Sequence, residues 1–179
     1  QHRKFNDEIT ITSDDEWSDA ALVQDVRIYS GSVLTITGRV SFPEDARIIV
    51  ERGAKLVLDG GTLTNACENT WKGVEVWGAA AADPDFPGAH GSVSLINGAL
   101  IENAECAIRA VKMGTPTDGD VPDYDFTGGH VYMKNSTIRN CVTGVKLYPY
   151  NYNYKADFYN SAFETTGEWI DAGSTPDAM

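Results

Sequence analysis

The chain has 179 residues, 42% of them hydrophobic, and its 26 acidic against 14 basic side chains give a formal net charge of −12. This charge disfavours binding to nucleic acid or to an anionic membrane surface, because both require Lys and Arg close to phosphate groups. No apolar run approaches the roughly 18 residues of a membrane-spanning helix. The composition therefore predicts one domain, or a section of a longer repetitive one, that is not inserted in a membrane.

The chain contains three cysteines, Cys67, Cys106 and Cys141, and this odd number argues against a complete disulfide framework. Two arrangements stay open: one bridge with a free thiol, or three small buried side chains in the core. The sequence shows no Cys-x-x-Cys motif and no Cys/His pair, so it does not indicate a zinc site.

Residues 1–25 are predicted to form an N-terminal strand and cap segment, with "SDDEWSDAALVQD" (13–25) as a short amphipathic cap. From residue 26 onward, "VRIYSGSVLTITGRVSF" and "ARIIVERGAKLVLDGGTLT" alternate apolar and polar residues with the period of a strand. Gly, Asn and Asp mark the turns, and no helical pattern is longer than two turns. The sequence thus predicts an all-β domain over 26–170, followed by a tail at 171–179.

The strand region repeats one short motif, in which Asn or Asp is followed by small residues, an apolar residue and then Asn or Thr. A fixed unit with insertions of variable length is typical of a solenoid. The copies carry Asp59, Asn97, Asn135 and Asn160 at one position, so their spacings are 38, 38 and 25 residues.

A unit built from short strands predicts one coil of a parallel β-helix, in which each coil pairs with the coils above and below it. Inward side chains then stack in ladders, and Asn at the turns tolerates left-handed backbone geometry and hydrogen-bonds along the stack. One predicted ladder is Leu63, Ile101, Ile138 and Phe163, and another is Val74, Ile108 and Val145. The equivalent asparagines Asn65, Asn103 and Asn140 are predicted to be structural.

These motifs resemble the right-handed parallel β-helix of the pectate-lyase-like group. The segments Gly31–Ile36, Ile48–Thr64, Trp71–Gly78 and Ile101–Ile108 look more closely like the β-helical parts of large secreted surface proteins exported by the type IX system. The resemblance covers most of residues 26–147 and implies a secreted or cell-surface scaffold or adhesion role, within a longer chain that has further domains. It implies no particular chemistry.

Three non-repetitive loops interrupt the repeat, and each follows an equivalent strand, at 73–76, 107–110 and 144–147. They are predicted to leave from the same edge of the solenoid and to lie over one another. The fold prediction is therefore a right-handed parallel β-helix of about five coils with three stacked loop insertions on one edge. We name these insertions loop 1 (77–90), loop 2 (111–130) and loop 3 (148–157).

The loop edge is rich in aromatic residues, whose flat faces and polar tips suit sugar rings and protein partners. A glycan or a surface protein is therefore the predicted partner. The alternative is that these rings pack on one another to hold the loops in place. The candidate ligand-binding residues are Trp77, Tyr124, Phe126, Tyr148, Tyr150, Tyr152 and Tyr154, and Phe86 lies in the same edge.

The same edge is acidic, since loop 2 contains "DGDVPDYD". Carboxylates and backbone carbonyls are the oxygen ligands that calcium prefers, so calcium is the one predicted cofactor, although the spacing is not that of an EF-hand. The alternative is a set of solvated turn aspartates. The candidate metal ligands are Asp118, Asp120, Asp123 and Asp125.

A carbohydrate-active enzyme, either a polysaccharide lyase or a glycoside hydrolase, is the competing hypothesis, because this kind of fold hosts such activities without implying them. A hydrolase requires a pair of carboxylates, for which Asp83 or Asp85 with Asp120 or Asp123 are the candidates. The column Glu75, Arg109 and Lys146 is interpreted first as a charge ladder, and only second as the source of a lyase base. His90 and His130 end two of the loops and form a possible acid–base pair.

Overall fold

The computed structural model describes residues 8–115 and 120–166, and nearly all of its regular structure is strand. Three parallel sheets have six strands each, and successive strands along the chain enter sheets A, B and C in turn. Every coil thus contributes one strand to each sheet and pairs with the coils on either side. The predicted parallel β-helix is confirmed.

Sheet A contains β1 (Ile9–Ile11), β4 (Val26–Ile28), β7 (Arg47–Val50), β10 (Gly73–Val76), β13 (Cys106–Arg109) and β18 (Thr143–Lys146). Sheet B contains β2 (Asp15–Trp17), β5 (Val33–Ile36), β8 (Lys55–Asp59), β11 (Ser92–Ile96), β16 (His130–Lys134) and β19 (Ala156–Tyr159). Sheet C contains β3 (Ala20–Ala21), β6 (Arg39–Phe42), β9 (Thr62–Asn65), β12 (Leu100–Glu102), β17 (Thr137–Arg139) and β20 (Ala162–Glu164). Loop 2 adds an antiparallel hairpin of β14 (Lys112–Met113) and β15 (Pro122–Asp123), then a 3-10 helix, Tyr124–Phe126.

The described residues form six coils, where the sequence spacing predicted about five. The additional coil is the first, because β1, β2 and β3 pair in parallel with the strands of the next coil. The segment 13–25, interpreted above as a cap, supplies β2 and β3 and so forms the end of the stack itself.

The core is a set of aliphatic columns that run along the solenoid axis, and both predicted ladders are confirmed. Ile101 pairs with Leu63 on one side and with Ile138 on the other, and Ile138 pairs with Phe163. In sheet A the register joins Val74 to Ile108 and Ile108 to Val145. Burial of such columns is the main stabilising term, since each apolar side chain leaves water on folding.

The predicted structural role of the turn asparagines is also confirmed. Asn103 and Asn140 have φ angles of 58° and 52°, a left-handed conformation that Asn accepts more readily than most residues. Asn103 donates a hydrogen bond of 2.8 Å to the side-chain oxygen of Asn65 in the preceding coil. Asn140 donates instead to the hydroxyl of Thr166 at 2.9 Å.

All three cysteines are free, so the bridged arrangement is not formed. Cys106 and Cys141 are buried, whereas Cys67 is exposed, which contradicts the expectation that all three lie in the core. Burial raises the pKa of the Cys141 thiol to about 12. In the part of the chain that the structure describes, no helix has the length and apolar character needed to span a membrane.

The three loops leave the solenoid at one edge, between sheets A and B, as predicted. The corresponding connections in the second and third coils are the short turns 29–32 and 51–54, whereas loops 1, 2 and 3 follow β10, β13 and β18. The last two residues of loop 3 already belong to β19. Consecutive coils stack directly, so the loops of the fourth, fifth and sixth coils are brought together.

Candidate functional site

Loops 1 and 2 are joined through their backbones. The amide of Gly78 donates to the carbonyl of Phe126 at 3.0 Å, and the amide of Ala80 donates to the carbonyl of Asp125 at 3.1 Å. The guanidinium of Arg52 donates to the carbonyls of Gly78 and Asp125, at 2.6 and 2.8 Å. One side chain from the short turn of the third coil therefore fixes both loops at the place where they meet.

Loop 3 lies over loop 1, and three of its side chains reach successive carbonyls of that loop. Tyr150 donates to Ala82 at 2.5 Å, Asn151 to Ala80 at 3.2 Å and Tyr152 to Ala81 at 3.5 Å. The last distance is long for a hydrogen bond, so the first two carry most of the attachment. Lys155 adds an ion pair with Asp85 of loop 1. We refer to the three joined loops as the loop clasp.

Tyr154 connects loop 3 to loop 2 and closes loop 3 on itself. Its hydroxyl accepts from the amide of Gly128 at 3.3 Å and donates to the carbonyl of Tyr148 at 2.7 Å. Gly128 has a φ of 92°, and an added Cβ would lie 2.7 Å from the ring of Tyr150. Burial raises the pKa of the Tyr148, Tyr150 and Tyr154 hydroxyls. These phenols are structural donors, because their polar tips are already used inside the clasp.

Trp77 and Phe126 form a closed aromatic contact beneath the clasp. Their centroids are 5.4 Å apart in an edge-to-face arrangement, and Trp77 is only 8% exposed. The guanidinium of Arg52 lies 3.9 Å from the Phe126 centroid, and the ammonium of Lys112 lies 4.3 Å from it. Cations thus already contact the Phe126 ring, which is the geometry of stabilising cation–π pairs.

The structure brings the seven predicted ligand-binding residues together but leaves few of them open to solvent. Trp77 is buried, and Phe126, Tyr148, Tyr150 and Tyr154 are partly buried. Tyr124 and Tyr152 are 54% and 43% exposed, and Phe86 of loop 1, outside the predicted set, is 64% exposed. Packing of the rings on one another therefore accounts for most of the aromatic residues at this edge. Phe86, Tyr124 and Tyr152 remain accessible to a partner.

Two of the four predicted calcium ligands, Asp120 and Asp123, are paired with lysines. Asp120 lies 3.9 Å from the ammonium of Lys72, and Asp123 lies 3.8 Å from that of Lys112 while also accepting from the amide of Asp125 at 3.2 Å. Within residues 8–115 and 120–166, no three His, Cys, Asp or Glu side chains converge on a point that could hold a metal ion. Asp118 lies outside the described residues, so calcium binding stays a prediction.

The hairpin of loop 2 contacts the outer face of sheet A and buries charged groups there. Glu75 is 2% exposed, pairs with Arg47, and accepts from the indole of Trp77 and the amide of Met113, both at 3.2 Å. Arg109 bonds to Glu105 at 2.7 Å. The column of Glu75, Arg109 and Lys146 has the predicted register, but its ion pairs run to other residues.

Two of the groups proposed for catalysis, Asp85 and Arg109, have pKa shifts opposite to those that catalysis requires. A general acid needs a raised pKa, whereas the hydrogen bond from Lys155 lowers the pKa of Asp85. A lyase base must be neutral when it acts. Although burial disfavours its charge, Cys106 and Glu105 raise the pKa of Arg109, so it stays a cation.

A shallow depression of about 340 Å³ lies at the corner between sheets B and C, at the opposite end of the sheet B strands from the clasp. It is lined by Asn135, Ser136, Thr137, Asn160, Ser161 and Ala162. None of these side chains titrates near neutral pH, so the depression offers no acid–base group.

Replacing Tyr150 with Phe should weaken the clasp without unfolding the coils. The change removes the bond from the phenol to the carbonyl of Ala82 and leaves the ring in place, so we expect a loss of about 1 kcal/mol. Hydrogen exchange at the amide of Gly128, which donates to the Tyr154 hydroxyl of loop 3, measures this as faster opening. Tyr132→Phe, on the outer face of sheet B, is the control, and equal effects from both variants would contradict the attachment.

Comparison of the chain with protein-family models, with curated proteins and with solved structures finds no match. The parallel β-helix therefore rests on the strand pairing and not on similarity to a known protein.

Proposed function

We propose that this chain is a non-catalytic β-helical segment of a secreted or cell-surface protein, in which the solenoid is a scaffold and the loop clasp binds a glycan or a protein. The observation that carries the proposal is the exposure of Phe86, Tyr124 and Tyr152 on loops whose other aromatic residues are buried or partly buried in contacts within the clasp. The secreted location and the type IX route rest on the sequence motifs.

A fixed frame favours binding because the exposed rings do not have to be ordered when a partner arrives. Loops 1 and 3 each present one such ring, and their carbonyls and phenols are already hydrogen-bonded to one another. Tyr and Phe rings offer large apolar contact areas with few rotatable bonds, which suits both sugar faces and protein surfaces. The clasp thereby combines rigidity with accessible aromatic area.

The environment of the candidate catalytic groups supports binding over cleavage. Asp85, Asp120 and Asp123 each lie close to a lysine. The hydrogen bond from Lys155 lowers the pKa of Asp85, which makes Asp85 a poor general acid, and a cationic Arg109 is a poor base. The enzyme hypothesis is therefore the other outcome of the test and is not a second proposal.

The test is a screen of the purified chain against a panel of acidic and neutral glycans and surface proteins. For any ligand found, Phe86→Ala, Tyr124→Ala and Tyr152→Ala should each weaken binding by about tenfold, the loss expected from removing an interface anchor. Tyr159→Ala is the matched control, because Tyr159 is 54% exposed, as Tyr124 is, but lies in sheet B.

Unchanged affinity in all three variants would exclude the clasp as the binding surface. An absence of binding throughout would leave the scaffold role alone. Release of new chain ends from a polysaccharide, abolished by Asp120→Asn, would replace the proposal with the enzyme hypothesis.

A further inference from the structure

Two histidines stack at the point where the three loops converge. His90 ends loop 1 and His130 ends loop 2, and their ring centroids are 4.9 Å apart at an interplanar angle of 18°. His90 is 8% exposed. Its Nε2 lies 3.1 Å from the carbonyl of Asp83 and 3.5 Å from the hydroxyl of Tyr150 of loop 3. The pair therefore touches the contact through which loop 3 holds loop 1.

Each ring has one buried nitrogen without a hydrogen-bond partner among the described residues, Nδ1 of His90 and Nε2 of His130. Buried polar atoms in native proteins are almost always paired, so two such atoms in one contact call for an explanation. Ring nitrogens bind metals in the ring plane, and two nearly parallel stacked rings do not direct their lone pairs at one ion. The two unpaired nitrogens therefore indicate a role in protonation and not in metal binding.

The charged and titratable groups around the pair come from three elements, namely loop 1, loop 3 and β8. Lys155 is adjacent to His130 in the next coil, and it is paired with Asp85. Lys55 of β8 lies in the same outward column, with Ser92 between it and His130. The full set is Asp83 and Asp85 of loop 1, Tyr150 and Lys155 of loop 3, and Lys55.

A proton on this pair would place a positive charge beside a second imidazole and the ammonium of Lys155. Burial, the neighbouring His90 and Lys155 lower the pKa of His130 to about 4, although Asp85 acts in the opposite direction. The neutral pair is thus compatible with the closed clasp, and the charged pair is not.

We propose that the stacked His90–His130 pair is an acid-sensitive latch, which keeps the clasp closed at neutral pH and releases loop 3 from loop 1 when the pH falls. The opening of the clasp does not depend on whether the clasp binds a ligand. Its consequence, the loss of glycan or protein binding in acid, rests on the proposed function of the clasp.

The direction and the pH window follow from the two states of His130. Its pKa is about 4 in the closed clasp and near 6.5, the ordinary value, once the loops open. Protonation therefore favours the open state. The stabilisation of the clasp is complete above pH 6.5, decreases as the pH falls to about 4, and does not change further below that.

Hydrogen exchange between pH 4 and 7, corrected for the intrinsic exchange rate, tests the latch without any ligand. Protection of the amide of Gly128, which donates to the Tyr154 hydroxyl of loop 3, should fall by up to about tenfold per pH unit below 6.5, the slope of one proton. The amides of β5 and β8 are the internal reference and should keep their protection. Clasp protection that does not depend on pH, or that falls together with the reference, would overturn the proposal.

Two substitutions separate the latch from a merely structural contact. Lys155→Gln removes a cation that lowers the pKa of His130. The pKa of His130 in the closed clasp should therefore rise, so the loss of protection should end above pH 4 and its total size should be smaller. Its matched control is Lys134→Gln, an exposed lysine of the same sheet, which should leave the profile unchanged. His130→Phe keeps a ring in the stack and should abolish the pH dependence.

The circular dichroism spectrum establishes whether His130→Phe is folded. A direct titration of the imidazole signals of the unmodified protein needs no variant, and a His130 that titrates near 6.5 would also overturn the latch. Because these measurements use no ligand, their failure leaves the proposed binding function untouched. A failed ligand screen, in turn, leaves the latch standing.

Discussion

Replacing Glu75 with Ala is expected to lower the free energy of unfolding by about 3–5 kcal/mol, the range for breaking a buried ion pair by removing one partner. The side chains of Glu75 and Arg47 are 2% and 11% exposed beneath the hairpin of loop 2. Without Glu75 the guanidinium of Arg47 keeps the longer ion pair with Asp25, at 3.9 Å. The indole of Trp77 and the amide of Met113 lose their acceptor as well. Urea unfolding followed by circular dichroism measures the loss.

The matched control for this change is Glu164→Ala, which removes an ion pair at the surface. Glu164 lies 3.9 Å from Arg139 and its side chain is 44% exposed, so the expected loss is about 0–1 kcal/mol. Equal losses from the two variants would contradict the burial of Glu75. A second check is the double variant Arg47→Met with Glu75→Leu, which should be more stable than Glu75→Ala because no unpaired charge is left buried.

The repeat made the coil architecture predictable from sequence. A parallel stack requires equivalent side chains at equivalent places, so Leu63, Ile101 and Ile138 were identifiable as one ladder without any coordinates. The first coil was not identifiable in this way. Its strands are two or three residues long, and "DEW" at 15–17 lacks the alternation that marks the later strands. Its pairing depends on the coil above it.

The contacts between the loops could not be predicted from the sequence, because they depend on how non-repetitive segments pack on one another. The aromatic edge was correctly placed on stacked loops, yet the pattern could not distinguish the inward Tyr150 from the exposed Tyr152 two residues later. Nor does it reveal that the loop 2 hairpin covers Glu75, since a lone charged residue in a strand usually faces solvent. In the sequence, the sign of their stacking was that His90 and His130 lie just before and at the start of equivalent strands, β11 and β16.

Replacing Trp71 with Ala is the other change with a large expected effect, a loss of about 3–5 kcal/mol in the free energy of unfolding. Trp71 is fully buried and stacks on Phe42, with centroids 4.6 Å apart and an interplanar angle of 13°. Its indole donates to the carbonyl of Glu102 at 3.0 Å. The truncation leaves a large cavity and an unpaired carbonyl in the same place.

The effect of Trp71→Ala should reach beyond its own coil, because a solenoid is stabilised by contacts between neighbouring coils. Trp71 contacts Phe42 of the second coil and Glu102 of the fourth, so it links three successive coils. Trp17→Ala is the control, since Trp17 is partly exposed in the first coil and its indole donates to Asp15, only two residues away. The midpoint of urea unfolding should fall far more for Trp71→Ala than for Trp17→Ala. Similar midpoints would mean that the centre of the stack is held by the strand ladders alone, with no contribution from this aromatic link.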